Sequence, residues 1–303
     1  LDLRGPAHLD RGKAWARMGD FEAAQGRDPR GLWQQALADA EKALTLIPGY
    51  APALDERGMA FFRLGRLDSQ AGADPRENLR KAAADLEQSV RSDPSRHTVF
   101  PNLALAWVET AVAEAARGRD PRPFYRKAIE WLSEGLRRSP NLRGAHGIRG
   151  LIRYRLGQAM AAGREDPREV FALALEDLGS ALKRDPNDLE SLENRGETLL
   201  ALGRANDVAG VYPRTWYDQA LADGEELARR RPNDGSAYRI VADAHTFLGF
   251  VDRGQGKDGS AHWEAAIAAY RKGAGSDPGC WFNLGVLLRE LGRPGEAVAA
   301  FES

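Results

Sequence analysis

The chain has 303 residues, 43 of them basic and 44 acidic. That balance argues against nucleic acid or an anionic membrane surface as the main partner. The single cysteine, Cys280, excludes an internal disulfide framework and a cysteine metal cluster, and no apolar run approaches the roughly 18 residues that insert across a bilayer.

Taken in chain order, the first landmark is a turn, Asp28-Pro29-Arg30. It returns every 46 residues as Asp74-Pro75-Arg76, Asp120-Pro121-Arg122 and Asp166-Pro167-Arg168, then decays to Tyr212-Pro213-Arg214 and Asp258-Gly259-Ser260. A second proline series keeps the same step at Pro48, Pro94, Pro140, Pro186, Pro232 and Pro278. Repetition at this period marks a solenoid. The repeats fall at about 5–50, 51–96, 97–142, 143–188, 189–234, 235–279 and 280–303, the last partial and short. Each long repeat reads as two helices. The Asp-Pro step predicts an N-cap and a first-turn proline for the second, because the aspartate accepts from orphan N–H groups and proline lacks one. No strand pattern interrupts the series, so the fold class is all-α, with thirteen helices in one domain over 1–303.

The 46-residue register lines up packing positions. Gly12, Gly58, Ala104, Gly150, Gly196 and Ala242 are always tiny, and Ala36, Ala82, Ala128, Ala174, Ala220 and Ala266 are always alanine. Small residues at mid-helix let a neighbouring helix approach closely. Trp33, Leu79, Tyr125, Phe171, Tyr217 and Trp263 form a bulky ladder that should fill the space left beside them.

Small–Gly in the first helix, Leu-Gly at Leu64-Gly65, Leu156-Gly157 and Leu202-Gly203, alanine in the second helix and a closing proline resemble the tetratricopeptide repeat. The final stretch, WFNLGVLLRELGRPGEAVAAF, follows that pattern almost slot for slot. The resemblance implies an α-solenoid of antiparallel helix pairs, wound as a right-handed superhelix of about six and a half repeats. It departs in length, since the family unit has about 34 residues. The extra residues lie between the two helices and carry Gly26, Gly72, Gly118, Gly210 and Gly256 in register, which predicts a first helix about three turns longer, stopped by a C′ glycine.

Four repeats pair an arginine with an aspartate at fixed slots: Arg11 with Asp39, Arg57 with Asp85, Arg149 with Asp177, and Arg195 with Asp223. Where one member changes the other does too, to Leu103 with Trp131 and Val241 with Ala269. This covariation within one chain predicts structural ion pairs bridging the two helices of a repeat.

In the family that the chain resembles, first helices line a groove holding a peptide or helix of a partner. Carried over, the groove candidates are Lys13, Arg17, Met59, Phe62, Arg63, Leu105, Val108, Leu151, Tyr154, Arg155, Glu197, Asp243 and Phe247. Along the array they read basic, then apolar with aromatics, then acidic, in step with a net charge of +4 over residues 1–150 and −5 over the rest. The alternative for the Phe62 and Tyr154 stripe is core between repeats. The lysines of the carboxylate clamp that binds chaperone tails are missing. The five histidines show no metal or catalytic spacing, and no glycine stretch reads as a phosphate loop. The chain is therefore expected to be a non-catalytic scaffold that binds a protein or peptide, with no cofactor, metal, nucleic acid or membrane insertion. The alternative is a regulatory or sensory region of a larger bacterial signalling enzyme, such as a protein kinase. The chain opens at Leu1 and stops at Ser303 inside a helical pattern, which reads as a fragment. The cytoplasm is the favoured compartment, and the oligomeric state is open.

Overall fold

The computed structural model describes residues 3–208 and 214–303, except the side chains of 207 and 208, and every regular element in it is an α-helix. These are α1 (Arg4–Ala24), α2 (Arg30–Leu46), α3 (Ala51–Gln70), α4 (Arg76–Ser92), α5 (Val99–Ala115), α6 (Arg122–Arg138), α7 (Ala145–Ala162), α8 (Arg168–Arg184), α9 (Leu189–Val208), α10 (Arg214–Arg230), α11 (Gly235–Gly254), α12 (Ser260–Gly273), α13 (Gly279–Glu290) and α14 (Pro294–Phe301). That is one helix more than the thirteen expected, because residues 280–303 hold a complete short pair instead of half of one. Gly210 and the Tyr212-Pro213 turn lie outside the described residues. Two compact units, Leu1–Ile152 and Arg153–Ser303, meet within α7.

In the first unit α1 packs on α2, α3 on α4 and α5 on α6, with α2 against α3 and α4 against α5 between pairs. The second unit repeats this through α9–α10, α11–α12 and α13–α14. Alternate first helices also touch, α1 with α3 and α3 with α5 in one unit, α9 with α11 and α11 with α13 in the other. Among the described residues no alternate second helices do so. First helices therefore converge and second helices splay, which makes the first-helix face the inner one in each unit.

The Asp-Pro turns start the second helices one residue later than expected. Pro29, Pro75, Pro121 and Pro167 stand at the N-cap itself, and helix begins at the following arginine. The aspartate reaches over the proline to accept the backbone N–H two residues on, at 3.0 Å for Asp28 to Arg30, 3.2 Å for Asp74 to Arg76 and 3.0 Å for Asp166 to Arg168. A carboxylate is long enough to span this Asx turn, so the proline sits in its middle and not inside the helix. At the other end of the insert, Gly26, Gly72, Gly118 and Gly256 adopt φ of +70° to +72°, the left-handed conformation that closes α1, α3, α5 and α11. Arg164 fills the same slot after α7 with φ 60°. The next N–H in each case bonds the carbonyl five residues back, for instance Ala73 to Asp68 at 2.8 Å.

Within a pair the helices meet at the small slots. A methyl group on Gly58 would stand 2.9 Å from Leu86 Cγ and 3.2 Å from the Ala82 carbonyl. The bulky ladder fills a different gap from the one expected. A Cβ on Gly157 would lie 2.3 Å from the Phe171 ring, one on Gly203 2.4 Å from Tyr217, and one on Gly249 2.2 Å from Trp263. The ladder thus caps the glycine of Leu-Gly, seven residues beyond the mid-helix small slot, because the second helix runs antiparallel and its start faces the far part of the first.

Three of the Arg–Asp slots form two-pronged hydrogen-bonded pairs. Arg11 reaches Asp39 at 2.6 and 2.7 Å, Arg57 reaches Asp85 at 2.7 and 2.7 Å, and Arg195 reaches Asp223 at 2.6 and 2.8 Å. The aspartates are buried and the arginines are not. The fourth slot is split between units. In the first, Arg149 donates to Ser133 Oγ at 3.0 Å; in the second, Asp177 accepts from Arg153 Nη1 at 2.6 Å. Where the pair is replaced, Leu103 is fully buried, and Trp131 lies 6.2 Å from the Phe100 ring. The carboxyl environments differ along the chain. The Arg11 hydrogen bond holds Asp39 below the usual carboxylate range, whereas burial pushes Asp223 above it in spite of Arg195.

One joint carries titratable groups. His245 Nδ1 of α11 lies 2.9 Å from His262 Nδ1 of α12, and His262 Nε2 lies 3.6 Å from Asp252, which also accepts from Arg214 of α10. Burial, and then the neighbouring His262, lower the His245 pKa.

Two outcomes are expected. In urea unfolding, Arg57→Leu alone should cost about 3–5 kcal/mol by stranding a buried carboxylate, and adding Asp85→Ala should recover most of that loss; additive losses would refute the coupling. For His245 the folded state disfavours the proton, so its contribution is intact above the unfolded value near 6.5 and is lost as pH falls below it. Thermal stability should drop between about pH 7 and pH 5, and His245→Gln should flatten that dependence.

Candidate partner-binding groove

Helical spacing puts slots 13, 16, 17 and 20 of each first helix on one face. In each unit that face is the inner one, and each holds a cavity there. In the first unit a cavity of about 400 Å³ is bounded by Asp20 and Ala23 of α1, Trp33 of α2, and Met59, Phe62, Arg63, Arg66, Leu67 and Gln70 of α3. In the second, a cavity of about 170 Å³ lies among Arg204 of α9, Asp243, Thr246, Phe247 and Phe250 of α11, Tyr270 of α12, and Asn283, Val286, Leu287 and Glu290 of α13.

Some sequence candidates face these cavities and some do not. Met59, Phe247, Arg63 and Asp243 line them. Lys13 bonds Asp10 at 3.3 Å, Arg17 is exposed, and Leu105, Leu151 and Arg155 are half-buried outside both cavities. Phe62, Val108 and Tyr154 keep 7%, 6% and 9% of their surface, and of these Phe62 closes one cavity wall.

The two acidic candidates have partners within the chain. Glu197 pairs with Arg239 at 2.8 Å and accepts from the Tyr154 hydroxyl at 3.2 Å. Asp243 accepts from the Tyr270 hydroxyl and from Asn283 Nδ2 at 3.1 Å, and burial raises its pKa. Both carboxylates are thus engaged by neighbouring side chains, although Asp243 still lines the cavity. The charges at that cavity's rim are Arg204, whose guanidinium lies 5.7 Å from the Phe247 ring, and Glu290. In the other cavity Arg63 is held by Asp20 at 2.8 and 2.9 Å, leaving Arg66 more exposed.

The residues missed are those of slot 20, namely Asp20, Arg66, Arg204 and Phe250. The signal is present in the sequence, since slot 20 lies two helical turns from slot 13, but the longer first helix is what brings it to the groove.

Residues 247–303 match the family model described as tetratricopeptide repeat. A search of curated proteins finds no match. Among solved structures, the nuclear import adaptor Nro1 of S. pombe superposes with a TM-score of 0.66 at 13% identity, over 90% of this chain and 95% of that one. A tetratricopeptide repeat protein from Parabacteroides merdae superposes with a TM-score of 0.55 at 14% identity, over 96% and 91%. None of these similarities indicates a catalytic family, and at such identities they speak for the fold, one used generally as a protein–protein interaction scaffold. Residues 247–303 thus match the tetratricopeptide repeat model, and the helix-pair fold along the rest of the chain is similar to that of solved tetratricopeptide repeat proteins.

Proposed function

We propose that the chain is a non-catalytic scaffold, a single array whose first-helix face holds an extended or helical segment of a partner protein. The observation that carries this reading is the coincidence of two cavities, one in each unit, on the same register slots of that face. Each joins apolar walls to a few charged groups at the rim, the composition of a peptide-binding groove. Tyr154 and Phe62 support the face from behind, and the contacts to a partner come from Met59, Arg66, Arg204, Phe247 and Val286.

Met59, Phe247 and Val286 are half-buried, so polar replacements there should be tolerated by the fold. A partner captured with the intact chain should lose at least about tenfold in affinity to Met59→Glu or Phe247→Glu, with helicity by circular dichroism unchanged. Gln88→Lys, on the exposed side of α4, should leave binding intact. Undiminished binding by both inner-face variants would overturn the proposal.

A further inference from the structure

We infer that the contact between His245 and His262 is a proton-operated latch, and that charging both rings opens the joint between α11 and α12 and takes down one wall of the second unit's cavity. Its effect on a partner rests on the inner-face reading proposed above; the latch itself does not. His245 Nδ1 and His262 Nδ1 lie 2.9 Å apart, with ring centroids 5.2 Å apart. Nitrogens this close are joined by one proton, which one ring donates and the other accepts through its lone pair. An imidazolium has an N–H on both nitrogens. One ring can therefore gain a charge and remain the donor. With both charged, two N–H groups face each other across the same gap, and like charges repel. The register sets this contact apart. The same two slots hold Trp107 and Phe124 in the third repeat, with ring centroids 6.2 Å apart, a contact without a titratable group.

Little beside the rings absorbs a second charge. From α10, Arg214 brings Nη2 to 3.4 Å of His262 Nε2, and it also pairs with Asp218 at 3.6 Å and with Asp252 of α11 at 2.5 Å. Asp252 lies 3.6 Å from His262 Nε2 and is already held by that arginine. Among the described residues no ionisable group of α9 or α13 contacts either ring. Both rings are half-buried, and burial, then His262, lowers the His245 pKa, so the second proton is resisted until the medium is mildly acidic. What the latch holds comes next in sequence. Trp263, beside His262, seats its ring where Gly249 leaves no room for a Cβ, and that ring lies 5.7 Å from the ring of Phe250. Phe250 lines the cavity. So does Tyr270 of α12, whose hydroxyl donates to Asp243. Helix α12 thus backs the cavity at two points. When its first turn parts from α11, Trp263 lifts off Gly249 and Phe250 loses its support.

The single cysteine reports on α12. Cys280 is fully buried and shares a core with Ala266, Ile267 and Tyr270 of that helix. Its labelling by a dithiodipyridine, divided by that of free cysteine at the same pH, therefore reads the opening of α12. In the intact chain this ratio should rise at least about tenfold from about pH 7.5 to about pH 5.5. Amide hydrogen exchange should increase over residues 245–270 and not in α5 and α6. His245→Gln and His262→Gln should each hold the ratio within about twofold, since each leaves one chargeable ring. A ratio that does not rise would overturn the inference, as would a rise that survives in both variants. So would an increase in exchange shared equally by α5 and α6, which is general unfolding. A partner captured with the intact chain should be released over the same pH range and retained by both histidine variants; release from those variants too would also overturn it. Undiminished capture by Met59→Glu and Phe247→Glu, with the cysteine result as expected, would overturn the inner-face reading and leave the latch standing.

Discussion

Two helices can approach closely only where neither carries bulk at the crossing, and that constraint is seen most directly in the pairs α1–α2 and α3–α4. Gly12 and Gly58 lie against the backbone carbonyls of Ala36 and Ala82, so the smallest side chain on each partner defines the distance between axes. Once the crossing is that tight, the antiparallel course brings the start of the second helix beside the far part of the first. The ring of Phe171, Tyr217 or Trp263 then has only a glycine to sit on. Glycine at mid-helix costs about 1 kcal/mol in propensity, offset by the apolar area that the ring buries. The Arg–Asp pair lies beside this crossing and neutralises a carboxylate that the same close approach has taken out of water.

The long first helix follows a second constraint. Its added turns end in a left-handed residue at Gly26, Gly72, Gly118, Arg164 or Gly256, and they place two further slots on the structure. Slot 20 deepens the inner face, where Arg66 and Arg204 rim the cavities. Slot 22 supplies the acids Asp68 and Asp252 that tie α3 and α11 to the second helix before each. The extra length therefore strengthens the joints and widens the face in one stroke. The short pair α13–α14 has no such turns, and α13 ends at Glu290.

How much of this can be read from the residues depends on whether a feature repeats. Helix pairs, the small slots, the left-handed glycines and the Arg–Asp slots recur every 46 residues, and repetition exposes them without any knowledge of the fold. What recurs in sequence but is decided by geometry reads less clearly. The Asp-Pro turn reads one residue early because an Asx turn and an N-cap use the same side chain. The slot of Phe62, Val108 and Tyr154 lies on the groove face by helical spacing, but spacing does not say how far neighbouring side chains cover it. Features that occur once are not legible at all. Nothing in the spacing of Glu197 and Arg239, or of Asp243, Tyr270 and Asn283, says that these groups neutralise one another. The His245–His262 contact likewise depends on one pair alone.

The division between repeated and unrepeated residues also bears on selectivity. Slots that set distances hold nearly the same residue in every pair, since a larger side chain at Ala82 or Gly58 would push the helices apart. Slot 13, by contrast, runs through Lys13, Met59, Leu105, Leu151, Glu197 and Asp243, and slot 20 through Asp20, Arg66, Val112, Gln158, Arg204 and Phe250. A uniform frame therefore carries a face whose chemistry changes from pair to pair, and several changes are cancelled from within by a neighbouring side chain. A charge already paired within the chain discriminates between partners less than an unpaired one, because part of its field and of its hydrogen-bonding capacity is already used. On this face Arg66 and Arg204 both stand in slot 20, Arg66 within 3.5 Å of Glu109 and Arg204 against the Phe247 ring, so the charge variation at the cavity rims comes from the turns that lengthen the first helices.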